Sequence, residues 1–213
     1  MLELAVHSPM NAGNQFFKTS WRNTPSWYGG FFQDGAVHFV AAMRKVAGSE
    51  PATVSATVSH RAAHLPGPDT IAAIVRFESG LQGVVNMSFA TVNRKFDLSV
   101  TGSSGKVSIE RGVDENGKHG YAVTRTLFQP DADNKLVDTQ TTGYPFCGVP
   151  DEFVAFATAV GAPSGPEMEA LDCNTPEEAM ADLAFIEACL ESGKNGGQPV
   201  GVANFLRESQ PGN

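Results

Sequence analysis

Asp34 and His38 are the residues of this 213-residue sequence whose types and spacing best suit acid/base chemistry. They stand four apart in Gly29-Gly30-Phe31-Phe32-Gln33-Asp34-Gly35-Ala36-Val37-His38, where a glycine-rich turn runs into an expected helix. Four residues is about one helical turn, so the carboxylate and the imidazole share a face. An imidazole titrates near neutrality and a neighbouring carboxylate stabilises its charged form, so the pair is able to move protons without a cofactor. Trp21, Trp27, Tyr28, Phe31 and Phe32 crowd the approach, and both tryptophans and five of the seventeen Phe and Tyr residues fall between Phe16 and Phe32. Such a cluster suits the wall of a pocket for a small molecule, and equally a helix entry packed into a core or a contact between two copies. Asp34 also suits a helix N-cap, His38 a satisfied core histidine and Arg22 an ion pair with a carboxylate.

Other candidate chemistry is sparse. His60 and His64 also lie four apart, but they flank an expected strand end and lack a third ligand, so no metal site is read there. Cys147, Cys173 and Cys189 are an odd number at wide spacing without a CxxC, which argues against a disulfide framework or a zinc site. Fifteen Lys and Arg against twenty-three Asp and Glu give a formal charge of −8. With the basic residues scattered, nucleic acid and acidic membrane surfaces are not expected partners. No apolar run reaches the roughly 20 residues of a membrane helix, and the N-terminus lacks a basic segment followed by an apolar one. A soluble, cytoplasmic protein is the expectation.

The elements that must hold Asp34 and His38 follow from periodicity. Leu2, Leu4 and Val6 alternate with Glu3, Ala5 and His7, as in a strand buried on one face. From Gln33 to Val46 the spacing becomes helical, and Gly48 stands where a left-handed C-cap belongs. The middle of the chain reads as a meander: Ala52 to Arg61, Thr70 to Phe77, Leu81 to Phe89, Phe96 to Thr101, Lys106 to Glu110, Tyr121 to Phe128 and Lys135 to Thr141, joined by glycine- and proline-marked turns. Most connections are too short for a crossover helix, so these strands pair mainly antiparallel. Pro150-Asp151-Glu152 opens a helix over Phe153 to Val160, with Gly161 as its stop. Thr175-Pro176-Glu177-Glu178 is a capping box for a longer helix to Glu191, ended by Gly193. The fold class is therefore α+β: an open, mainly antiparallel sheet of about eight strands with helices on one face. The other face is expected to be covered by a second copy in a homodimer. One domain spans residues 1–202, followed by a tail over 203–213.

Asn14 to Arg22 (NQFFKTSWR) followed by Gly29 to Arg44 (GGFFQDGAVHFVAAMR) resembles the opening of the C-terminal domain of the Gfo/Idh/MocA oxidoreductases. The matching positions are Trp21, Arg22, Gly29, Gly30, Asp34 and His38, and the meander with its two late helices resembles that domain in order. The resemblance implies an NAD(P)-dependent hydride transfer, with the nucleotide on an N-terminal Rossmann domain and the substrate on the C-terminal sheet. It implies that His38 is the acid/base at the substrate hydroxyl or carbonyl, and that Asp34 holds substrate or fixes the imidazole. Trp21, Arg22, Trp27, Tyr28 and Phe31 are the expected substrate-binding residues. The sequence holds no G-x-G-x-x-G fingerprint after an expected strand, nor the family's Glu-Lys-Pro segment with its lysine. Gly102-Ser103-Ser104-Gly105 leads into another strand and is a poor phosphate cradle. No cofactor is therefore expected on the chain alone, NAD(P) entering only if a Rossmann domain is supplied. The first expectation is an enzyme that uses His38 and Asp34 without nicotinamide, for isomerisation, dehydration or cyclisation of an oxygenated substrate. The alternatives are the substrate-binding part of an NAD(P)-dependent oxidoreductase, truncated or completed by a separate Rossmann chain, and a non-catalytic dimeric scaffold.

Overall fold

The computed structural model describes residues 1–24, 30–114, 116–128, 136–161 and 175–206. Their strands are β1 (Leu2–His7), β2 (Pro51–Ser59), β3 (Thr70–Phe77), β4 (Gln82–Ser88), β5 (Lys95–Thr101), β6 (Gly105–Val113), β7 (His119–Phe128), β8 (Leu136–Pro145) and β9 (Val200–Gly201). They form one sheet in the order β8-β7-β6-β5-β1-β4-β3-β2-β9. The sheet exceeds the expected eight strands because Val200–Gly201 pairs with Thr53 and Val54 of β2. β1 lies at the centre, parallel to β4 and antiparallel to β5. All other pairings are antiparallel, as short connections require. β1 runs parallel to β4 because the chain leaves it for a helix and two further strands before β4 returns to its side.

Alternation decides which face of the sheet carries the core. Ile71, Ala73, Val75 and Phe77 of β3 are buried, while Ala72, Ile74 and Arg76 face outward. The buried rows meet α2 (Val37–Ala47) and α4 (Pro176–Lys194), which bring Val40, Met43, Phe185, Ile186 and Leu190 into the same core. Cys189 lies in that core, where burial pushes its thiol pKa up, so it acts as a small apolar group. On the outward face Ile74 pairs with Val84, and the same transverse row continues through Glu3, Ser99, Ser108 and Thr124.

Local chemistry sets the helix ends. Thr175 Oγ1 accepts a hydrogen bond from the Glu178 N–H at 3.3 Å, with Pro176 in the first turn. Gly48 closes α2 at φ 58°, its N–H donating to the Arg44 carbonyl. Gly193 does not end α4, which continues to Lys194. A Cβ at Gly193 would lie 2.5 Å from Val58 Cγ2, so the glycine serves the approach of helix to strand. Ser192 fixes the same contact, its Oγ accepting from the Ala56 N–H at 2.8 Å and donating to the Gln198 carbonyl at 2.7 Å. Arg44 ties α2 to α4 by donating to Asp182 at 2.7 Å, and also grips Glu50 at 2.6 Å. α3 (Gly148–Gly161) starts before Phe153 and exposes Phe153 and Phe156 at 71% and 68%. Among the described residues no helix is long and apolar enough to cross a membrane.

Candidate functional site

The approach to the Asp34/His38 helix is a chain of short turns, each fixed by a side chain. Asn14 caps a single turn over Gln15–Lys18, accepting from the Phe16 N–H at 2.9 Å. Thr19 Oγ1 donates to the Phe16 carbonyl at 2.8 Å and accepts from Arg22 Nη1 at 3.1 Å. That places α1 (Ser20–Asn23), one helical turn, so that Arg22 points across the entry. The Arg22 guanidinium sits 4.0 Å from the Trp21 ring centroid and 5.0 Å from that of Phe16, held between the two rings.

Arg22 reaches Asp34 with both edges of its fork: Nε to Oδ2 at 2.5 Å and Nη2 to Oδ1 at 2.9 Å. Asp34 lies in a widened turn, Phe32–Ala36, that enters α2. It does not cap the helix; its carboxylate is spent on Arg22. Phe32 is fully buried and meets the edge of Phe89 with ring centroids 5.2 Å apart. Gly35 leaves room for that ring, since a Cβ there would lie 3.0 Å from Phe89 Cζ. Gln33 donates to Glu187 and so fastens the turn to α4.

His38 is exposed and, among the described residues, has no hydrogen-bond partner. It faces a cavity of about 590 Å³ shared by Asp34, Arg22, Phe16, Met10, Phe89 and Arg94. The structure thus brings Arg22, Asp34 and His38 to one wall, but the carboxylate serves the arginine and leaves the imidazole free. Trp21, 57% exposed, supports Arg22 from behind rather than lining the cavity. Phe31 is buried in the core against Phe89 and does not line this cavity. Trp27 and Tyr28 lie outside the described residues.

Sequence reasoning missed Phe16, Phe89, Met10 and Arg94, which come from two separate stretches, after β1 and between β4 and β5, and meet only through the sheet. His64 has a supporting part that its sequence position did not announce: its Nε2 lies 2.9 Å from the Met10 carbonyl and its ring meets the edge of Phe17. His60 turns instead to the Ala62 carbonyl at 2.9 Å, so the two histidines do not converge. No group of three potential metal ligands is present among the described residues.

Residues 1–202 match the family described as the oxidoreductase family, C-terminal alpha/beta domain, of the Gfo/Idh/MocA group. The chain belongs to this family. It is 30% identical over 193 residues to the dehydrogenase FPY6 of Fusarium mangiferae, covering 89% of this chain and 51% of that protein. The solved structure of an oxidoreductase from Thermotoga maritima is 28% identical with a TM-score of 0.72, covering 96% of this chain and 54% of that one. An NAD-binding protein from Listeria innocua shares the fold at 19% identity and a TM-score of 0.62, over 98% and 57% of the two chains. The chain thus spans about half the length of the relatives it matches. These relatives are oxidoreductases, which favours the redox alternative over the first expectation of proton chemistry without nicotinamide.

Proposed function

We propose that this Gfo/Idh/MocA domain is the substrate-binding part of an NAD(P)-dependent dehydrogenase acting on a hydroxyl-bearing small molecule. The observation that carries the reading is the free, exposed His38 on the wall of a cavity whose neighbouring carboxylate is already neutralised by Arg22. When bound, the nicotinamide supplies the acceptor for the hydride. The described residues offer no loop suited to its diphosphate: Gly102–Gly105 joins β5 to β6, and no helix N-terminus follows it. The nucleotide is therefore assigned to a Rossmann-type half, and this chain derives its part from the proton alone.

In that part, a ring nitrogen of His38 takes the proton of the substrate hydroxyl as the carbon–hydrogen bond is lost, and returns it in the reverse direction. Arg22 and Asp34 form a rigid, charge-balanced floor that keeps Asp34 from drawing the imidazole aside. Phe16, Phe89 and Met10 supply the apolar side of the cavity and limit water at the reacting carbon. The exposed Phe153 and Phe156 of α3 offer apolar surface of the kind that docks another domain. A homodimer through the outward sheet face, with Ile74 and Val84 at its centre, belongs to the same proposal.

The test is reduction of NAD+ and NADP+ against a panel of polyols, sugars, sugar acids and sugar phosphates, run with the chain alone and with the Rossmann half of a relative fused before Met1. Reduction only in the fusion supports the reading. Substrate turnover by the chain alone without nucleotide contradicts it and returns the case for proton chemistry.

A further inference from the structure

Beside the His38 cavity a second hollow, of about 510 Å³, opens at the same end of the sheet. The two share Ser8, Phe39 and Arg94 as walls. The second is built where four strand ends converge: His7 at the end of β1, Lys95 at the start of β5, Arg111 near the end of β6 and His119 at the start of β7. Phe146, just past β8, closes one side.

Its charge is the reverse of the chain's. Three cations, Arg94, Lys95 and Arg111, line it with no carboxylate among the lining residues, in a chain of formal charge −8. Lys95 is engaged by Asp97 at 3.5 Å. Arg94 and Arg111 have no ion pair with any described residue, a condition they share with Arg61 and Arg76, whereas Arg22, Arg44 and Arg125 are paired. Arg111 is also held in place. Its guanidinium stands 4.6 Å from the Tyr121 ring centroid, 5.7 Å from that of Phe146 and 5.9 Å from that of Phe96. An aromatic cradle on a guanidinium fixes its plane and leaves its N–H edge to find an acceptor, which is how arginines recognise carboxylates and phosphates in two-point fashion. A second unmet polar atom stands in the same wall: His7 Nδ1 is buried without a hydrogen-bond partner.

We propose that this hollow holds the acid group, carboxylate or phosphate, of the substrate whose hydroxyl reaches His38, with Arg111 and Arg94 as its ligands. The proposal rests on the dehydrogenase reading for the substrate's other end, but the anion site stands on its own residues. Arg94, lining both spaces, places the acid group and the reacting carbon within one small molecule. Neutral sugars and polyols of the same size would leave Arg94 and Arg111 unanswered.

The experiment is a 1H–15N NMR titration of the 213-residue chain with D-glucuronate, D-glucose 6-phosphate, inorganic phosphate and, as the neutral control, D-glucose. The acid-bearing probes should give saturable shifts at the Gly112 and Gly120 amides, with D-glucose giving none. Preference for glucuronate or for the two phosphates tells which acid the site takes. Arg111→Met and Arg94→Met, which keep the aliphatic stem, should each weaken anion binding by about tenfold or more, their spectra otherwise unchanged. The titration reads anion binding by the chain without nucleotide or turnover, which separates this site from the hydride-transfer reading. Absence of saturable shifts with all three anions, or affinity that survives both arginine variants, overturns the proposal.

Discussion

Arg22 grips Asp34 with two charge-assisted hydrogen bonds, at 2.5 and 2.9 Å, and so takes the carboxylate away from His38 one turn further on. The acid and the base that sequence spacing places together are thereby given different tasks. Asp34 fixes the entry of the helix and the orientation of Arg22, while His38 is left facing the cavity. Loss of the arginine should show in the fold first. Arg22→Met should lower unfolding stability by about 1–2 kcal/mol, since a partly buried carboxylate loses both donors. Arg22→Lys should restore less than half, because an ammonium cannot make the two-point contact or stack between Trp21 and Phe16. Urea unfolding of the three proteins decides it, and equal stability for Arg22→Met would refute the role given to the pair.

Gly193 is held to glycine by Val58. Gly193→Ala would place a Cβ 2.5 Å from Val58 Cγ2, so it should destabilise by about 1–3 kcal/mol despite raising helix propensity. Adding Val58→Ala should recover only part of the loss in a double-mutant cycle, because the Cβ that remains at position 58 would itself lie 2.7 Å from the new methyl group. A single Gly193→Ala variant as stable as the parent would show that helix and strand do not meet as closely as described.

Asp182 gives the chain a pH dependence of definite sign. Burial raises its carboxyl pKa above the ordinary value, Arg44 pulling the other way and Glu178 and Glu50 adding to the rise. The folded chain therefore binds this proton more tightly than the unfolded one. The stability it contributes is full below the unfolded value near 4 and is lost as pH rises through the raised folded value. Asp182→Asn removes that titration while its amide oxygen can still accept from Arg44. The stability of the variant relative to the parent should then climb as pH goes from about 4 to about 7, read by urea unfolding at each pH. A constant difference, or one that falls, contradicts the assignment.

How much of this was legible depended on how local the cause was. The Thr175-Pro176 cap and the Gly48 stop were readable because the residue that makes each end sits within one turn of it. The meander was readable from alternation and short turns. Gly193 looked like a helix stop because its real partner, Val58, lies on a distant strand. Phe31 and Phe16 are both aromatics ahead of the same helix, yet one is core and one is cavity wall; the widened turn at Phe32–Ala36 and the ring of Phe89 decide that. Arg94 and Arg111 carry no sequence motif and become neighbours of one hollow only through the order of the strands. Residue types therefore named the acid and the base, while the grip of Arg22 on Asp34 determined which of them was left free.

The claim that His38 is the proton-transferring group is tested most directly by His38→Gln in the fusion with a Rossmann half, followed by nicotinamide reduction against pH. His38 is exposed and unbonded among the described residues, so the variant should keep the parent's unfolding stability within about 0.5 kcal/mol. Its kcat should fall by about 10²- to 10⁴-fold, and its pH profile should differ from the parent's. A His38→Gln fusion that turns over at the parent's rate, with the same pH profile, would contradict the account.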